Sequence, residues 1–310
     1  MNPRQGQVAI LLSTYDGRRF LGEQLDSIAA QTWTDWVVWA SDDGSRDGTL
    51  ELLAEYRAAW GESRLVVRPG PREGFAANFL SLVGDLGIRG GCYAFCDQDD
   101  IWERGKLHRA LAFLRCVPSG VPGLYCSRTR LVDEANGSLG LSPLFVRQPS
   151  FRNALVQSIG GGNTMVFNQA ARDLLRRACA AADVVTHDWW AYQVVSGCGG
   201  RVHYDAWPSV RYRQHARNLV GMNCGWRARL RRVRLLWQGR FRDWNSRNLR
   251  ALEAVRPCLT DENREVLDAF IQARESRLPD RLRGLARAGI YRQTLAGNLG
   301  LAAAGLFKRV

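Results

Sequence analysis

Residues 8–41 read VAILLSTYDGRRFLGEQLDSIAAQTWTDWVVWAS, and the alternation of segment types within them decides the fold. Residues 8–13 (VAILLS) and 36–41 (WVVWAS) are nearly continuous apolar runs, the pattern of strands buried on both faces of a parallel sheet. Between them Leu21, Leu25 and Ile28 recur at helical spacing. Strand, helix and strand make a βαβ unit, whose crossover should be right-handed. The pattern then repeats: residues 50–60 read as a helix, 65–67 as a strand, 75–86 as a helix and 93–96 as a strand. The expected class is α/β, with a Rossmann-like, doubly wound mixed sheet that binds ligands beyond the carboxyl ends of its strands.

Each of three strands runs into polar residues: Ser13, Thr14, Tyr15 and Asp16; Asp42, Asp43, Gly44 and Ser45; Asp97, Gln98, Asp99 and Asp100. Their convergence on one sheet edge points to a binding site. No G-x-G-x-x-G follows the first strand and no G-x-x-x-x-G-K-[ST] occurs, which argues against a nicotinamide cofactor and a P-loop. Carboxylates at a strand end suit a hard divalent cation that bridges them to phosphates, although a solvated acidic turn reads the same way. Asp42 and Asp43 either make turn and cap chemistry or offer an acceptor to the imide N–H of uracil or thymine.

Further on, the glycine run at residues 160–162 permits close backbone approach to a substrate or serves as a hinge. Residues 164–167 read as a strand. A helix and then a loop holding His187 and Asp188 are expected, with one of Trp189 and Trp190 in the core and the other free to stack on an acceptor sugar. Residues 226–244 read as a basic amphipathic helix, and 295–307 as a short apolar stretch.

Net charge is +13, unevenly spread: residues 1–100 carry 9 basic and 15 acidic side chains, residues 211–310 carry 22 and 8. A basic nucleic-acid binder with eleven tryptophans is the rival class. The acidic front of the chain counts against it, and no nucleic-acid partner is expected. Eight scattered cysteines without a C-x-x-C pair suggest a reduced, cytoplasmic setting, with Cys92 and Cys96 as buried small hydrophobes. No signal peptide or apolar span of ~18 residues is read.

LLSTYDGRRFLGEQLDSIAAQT, SDDGSRDGT, FCDQDDIWERGKL, GGGNTMVFN, HDWWAYQVVSGCGG and YRQHARN, in that order, resemble the family 2 glycosyltransferases with the GT-A fold. Within that family they resemble the bacterial rhamnosyltransferase-like enzymes of polysaccharide assembly. The resemblance spans residues 8–220 and implies an inverting, metal-dependent transferase. The donor would be dTDP-rhamnose or a UDP-sugar, and the acceptor a saccharide or lipid-linked saccharide. By the same resemblance, Ser13, Thr14 and Tyr15 line the nucleotide pocket, Asp43 reads the base and Asn78 faces the same cleft. Asp97 and Asp99 match the D-x-D pair that binds Mg²⁺ or Mn²⁺, with Asp99 the direct ligand and Asp97 nearer the ribose. Asp188 matches the catalytic base and His215 a further metal ligand. An N-cap and a satisfied structural histidine are the respective alternatives. Residues 1–220 would form the catalytic domain, with 1–105 for the donor and 106–220 for the acceptor. Residues 221–310 form a basic helical extension, which either meets the anionic inner face of the cytoplasmic membrane peripherally or packs on the catalytic domain.

Overall fold

A computed structural model describes residues 6–179, 183–215 and 240–310. The first half runs β1 (Val8–Thr14), α1 (Arg18–Ala29), β2 (Trp36–Asp42), α2 (Thr49–Trp60), β3 (Leu65–Pro69), α3 (Phe75–Gly84) and β4 (Cys92–Cys96). These strands lie in the order β3-β2-β1-β4, all parallel. The second half continues with β5 (Ile101–Trp102), α4 (Lys106–Arg115), β6 (Gly123–Val132), β7 (Ser138–Leu141), α5 (Phe151–Ala154), β8 (Val166–Asn168), α6 (Gln169–Cys179), α7 (His187–Gly197) and β9 (Arg201–Arg213). Antiparallel β8 joins β4 to β6 and makes the sheet mixed, as expected.

Period-two alternation explains the unbroken apolar runs. Along β1, Ala9 and Leu11 enter one core with Phe79, Phe95 and Trp190, while Val8, Ile10 and Leu12 enter another with Leu21, Leu25 and Leu53. Helices thus cover both faces of the sheet. Cys92 and Cys96 are buried in the second core, as read from the sequence.

Two expected elements differ. The strand anticipated over 164–167 begins at Val166, because Gly162–Thr164 closes a 3₁₀ turn through Thr164 N–H and Oγ1, both bonded to the Gly161 carbonyl. His187 and Asp188 occupy the first turn of α7, not a loop: Thr186 adopts extended backbone and caps the helix by accepting from Trp189 N–H.

Beyond β9 follow α8 (Arg240–Val255), α9 (Asp261–Glu275), α10 (Leu278–Ala288) and α11 (Leu295–Leu306). Of the basic helix read over 226–244, residues 226–239 lie outside the described residues. Leu249, Leu252, Val255, Val266, Leu267 and Phe270 share one core with Phe79 and Trp190, so α8 and α9 pack on the α/β body. Among the described residues, no helix is long and apolar enough to cross a membrane.

Candidate active site

Parallel register sets Thr14 opposite Asp42 at the carboxyl ends of β1 and β2. Thr14 is buried and donates its hydroxyl to Asp42 Oδ2 at 2.9 Å. Asp42 also accepts from Gly44 N–H, Ser45 N–H and Ser45 Oγ at 3.1, 2.8 and 2.5 Å. Four bonds exhaust a carboxylate's lone pairs, so Asp42 builds the turn. Thr14 is therefore spent within the turn after β2, while Tyr15 is largely exposed.

Asp43 has different surroundings. Its two oxygens accept from Arg72 N–H at 2.7 Å and Gly74 N–H at 3.0 Å, leaving a lone pair on each. Buried Asn78 donates to Ser13 Oγ and the Ser41 carbonyl, and its Oδ1 has no partner among the described residues. Gly70 permits this pairing: a Cβ there would lie 2.8 Å from Asp43 Oδ1 and 2.9 Å from Asn78 Oδ1. Ser13, Asp43 and Asn78 thus lie together at the ends of β1 and β2. Gly70 was missed, although its place in Pro69-Gly70-Pro71 signals a constrained turn.

The acidic run after β4 divides its labour. Gln98 accepts from Tyr15 N–H at 2.8 Å and donates to the Tyr15 carbonyl at 2.9 Å, tying the loops after β1 and β4 together. Asp100 is buried, accepting from Asn163 Nδ2 at 2.6 Å and Arg213 N–H at 3.1 Å. Burial raises its carboxyl well above the usual range, with Asp99 and Asp97 adding repulsion. Asp97 and Asp99 remain for the cleft. Burial, then the charges of Asp99 and Asp188, push the Asp97 carboxyl up to about 8, against the opposing pull of Lys106. Asp99 Oδ2 meets His215 Nε2 at 2.7 Å, and the imidazole stacks on Phe20.

Two buried cations not singled out from the sequence hold this loop. Lys106 Nζ donates to the Asn163 carbonyl at 2.6 Å and lies 3.3 Å from the Trp102 ring centroid. Burial lowers its ammonium to about 7. Arg213 donates to the Asp99 and Glu134 carbonyls and to Glu23, at 3.0, 2.6 and 2.9 Å. Nothing in the local sequence distinguishes either from a surface cation.

Asp188 reaches the same cleft from α7, close enough for its charge to act on Asp97. Thr186 holds the N-cap, and the part-exposed Asp188 carboxylate accepts from Trp189 N–H at 2.7 Å within the first turn, where the helix dipole favours an anion. Trp189 and Trp190 are both core residues, which corrects the expectation that one would meet a sugar; Trp189 Nε1 donates to the Ala154 carbonyl at 2.6 Å. His187 is buried between Phe79 and Phe95, with ring centroids 3.9 and 4.6 Å away. A Cβ on Gly162 would lie 2.2 Å from His187 Nε2, so this glycine makes room for the imidazole.

A mixed sheet whose parallel half gathers hydrogen-bond acceptors and acidic side chains at its carboxyl edge is the architecture of the GT-A glycosyltransferases. Residues 9–124 match glycosyl transferase family 2. The dTDP-rhamnosyl transferase RfbG of Shigella flexneri is 30% identical over 239 residues, covering 73% of this chain and 78% of the relative. The chain belongs to glycosyl transferase family 2 and is rhamnosyltransferase-like. Its fold is shared with Staphylococcus aureus TarS 1–349, solved with UDP-GlcNAc, at 14% identity and TM-score 0.53 over 92% of this chain and 93% of that one. The mannosyltransferase PcManGT of Pyrobaculum calidifontis, solved with GDP-Man and Mn²⁺, gives 18% identity and TM-score 0.51 over 98% and 88%.

Proposed function

We propose that the chain is an inverting, metal-assisted transferase that moves L-rhamnose from dTDP-rhamnose to a hydroxyl of a saccharide or lipid-linked saccharide. The observation that carries this reading is the approach of Asp188, from α7, to Asp97 and Asp99, on the loop after β4, near enough that the charges of Asp99 and Asp188 both act on Asp97. Asp43 and Asn78 offer acceptors to the base, and an imide N–H of either thymine or uracil satisfies the same chemistry. A UDP-sugar is the alternative donor.

The donor set fits a hard cation: like charges accumulate around Asp97 with buried Lys106 as the opposing influence, an excess that a divalent ion relieves. Asp97, Asp99 and His215 would hold Mg²⁺ or Mn²⁺. Among the described residues no three His, Cys, Asp or Glu side chains are grouped to hold a metal ion, so most of its ligands would have to come from the donor's phosphate oxygens and water. When bound, the ion neutralises charge on the leaving diphosphate. Asp188 takes the proton of the acceptor hydroxyl as its oxygen bonds to the anomeric carbon. The bond from that carbon to the diphosphate breaks, and the leaving group keeps the electron pair.

Residues 1–105 would serve the donor, 106–220 the acceptor and 221–310 attachment, with the protein working in the cytoplasm at the inner membrane face. Melting temperature against a nucleotide panel, with and without Mn²⁺, tests the donor site. A Mn²⁺-dependent rise with dTDP or UDP, lost in Asp99→Ala, is expected. No rise with any nucleotide defeats the reading. Asp188→Asn should then retain that rise while kcat falls by about 10²–10⁴.

A further inference from the structure

Beside the helix that carries Asp188, two segments distant in sequence leave large apolar side chains in solvent. After β7, Leu144 is 44% and Val146 79% exposed. On α11, Leu295 is 79%, Leu299 65% and Leu306 47% exposed. With Ala302, also exposed, these α11 positions fall at i, i+4, i+7 and i+11, a single stripe along the helix. The twelve residues of α11 include no Asp, Glu, Lys or Arg. An ordinary surface helix turns charged residues to that side.

Hydrogen bonds join the two segments into one surface. Gln293, just before α11, accepts from Arg147 N–H and donates to the Arg147 carbonyl, both at 3.1 Å. The Arg147 guanidinium stacks 3.8 Å from the Tyr291 ring centroid, and the Tyr291 hydroxyl meets Gln148 and Ser150. Ser150 caps α5, and its carbonyl accepts from Tyr192 of α7. The exposed face is therefore coupled through short contacts to the element that positions Asp188.

The surrounding charge selects the occupant. Residues 276–310 hold seven basic side chains, of which only Arg281 is buried, and one acidic, and the exposed Arg147 borders the other segment. Two copies meeting through this face would bring like charges together. An anionic headgroup layer neutralises them while its acyl boundary receives the leucines. We propose that Leu144, Val146, Leu295, Leu299 and Leu306 form a docking surface for an anionic phospholipid bilayer. The helix lies in the interface plane: twelve residues span ~18 Å, short of the ~30 Å hydrocarbon core. The proposal rests on the transferase reading for its purpose, which is to bring the Asp188 side of the cleft to a lipid-linked acceptor.

Co-sedimentation of the full chain with phosphatidylglycerol/phosphatidylethanolamine vesicles should retain most of the protein, and phosphatidylcholine vesicles little. Combining Val146→Glu, Leu295→Glu and Leu299→Glu should weaken vesicle binding by about tenfold or more, since each change replaces an apolar side chain with a carboxylate that an anionic surface repels. Leu86→Glu, at an exposed leucine on the loop after α3, should bind like the parent. Hydrogen exchange on the unaltered chain gives a second readout that no folding defect can confuse: anionic vesicles should protect residues 144–148 and 295–306. Absence of parent binding, equal binding by the triple variant, or protection confined elsewhere overturns the proposal. A parent dimer that the triple variant dissociates, with no vesicle binding, assigns the face to a second copy instead. Vesicle binding without any nucleotide-induced stabilisation would sink the transferase reading and leave this surface standing.

Discussion

A histidine whose ring is buried among aromatic side chains persists as the neutral imidazole, because charging it would strand an ion in an apolar setting. His187 is such a residue: its two nitrogens have no hydrogen-bond partner among the described residues, and burial draws its pKa down to about 4. The folded value lies below the ordinary 6.5, so the stability of the neutral form is present above pH 6.5 and lost as pH falls toward 4. The full loss is roughly 3 kcal/mol at ~1.4 kcal/mol per unit. Urea unfolding across this range should show a falling acid limb, and His187→Asn should flatten it whatever the substitution costs near neutrality. An unchanged limb would contradict the assignment. Gly162→Ala acts on the same contact, placing a methyl 2.2 Å from His187 Nε2. Relief requires the first turn of α7 to move, so kcat should fall while KM for the donor stays near the parent value. Parent-like kcat would show that the turn accommodates the methyl.

At the level of elements, the Gln98–Tyr15 clasp joins the loop that bears Asp97 and Asp99 to the loop after β1, beside the proposed base site. Gln98→Ala should raise KM for the donor several-fold and leave an acceptor-only parameter unchanged; a selective fall in kcat would instead place Gln98 nearer the chemistry. Such ties show where sequence reading ended. The strands through Cys96 were legible because burial on both faces leaves unbroken apolar runs, and the strand-end clusters marked the cleft directly. Spacing alone left open which carboxylates turn inward, and only the family resemblance separated Asp43, Asp97 and Asp99 from Asp42 and Asp100. Asp42 is bonded by Thr14 only because β1 and β2 pair in one register, whereas its Ser45 bonds are the local turn chemistry read from the sequence, and Asp100 turns inward only because Asn163 and Arg213 arrive from distant segments. The start of α7 was missed although Thr186 is a good N-cap residue, because the helix that follows, buried but for Asp188, has no polar face to show period.

For the whole molecule, the question is whether the C-terminal helices are an appendage or part of the fold. The charge boundary near residue 211 suggests an appendage, whereas packing argues the reverse. Leu249, Leu252, Val255, Val266, Leu267 and Phe270 are buried in the core that holds Phe79, Phe95, His187's neighbours on α7 and Trp190. At roughly 1.5–3 kcal/mol per buried side chain they contribute on the order of 10 kcal/mol, comparable with the whole stability of a typical domain. A chain ended at residue 239 should therefore lose its cooperative thermal transition together with any nucleotide-induced shift. A chain ended at residue 294 removes chiefly Leu301, Ala304 and Val310 from that core and should still melt cooperatively at a lower temperature. It should also keep the nucleotide response while losing vesicle binding, because α11 carries the exposed stripe and Asp43 and Asn78, the proposed base acceptors, lie on the parallel half of the sheet. Cooperative melting of the shorter chain, with a nucleotide shift of parental size, would show that the first 239 residues fold alone and that burial of the six C-terminal side chains stabilises only their own helices.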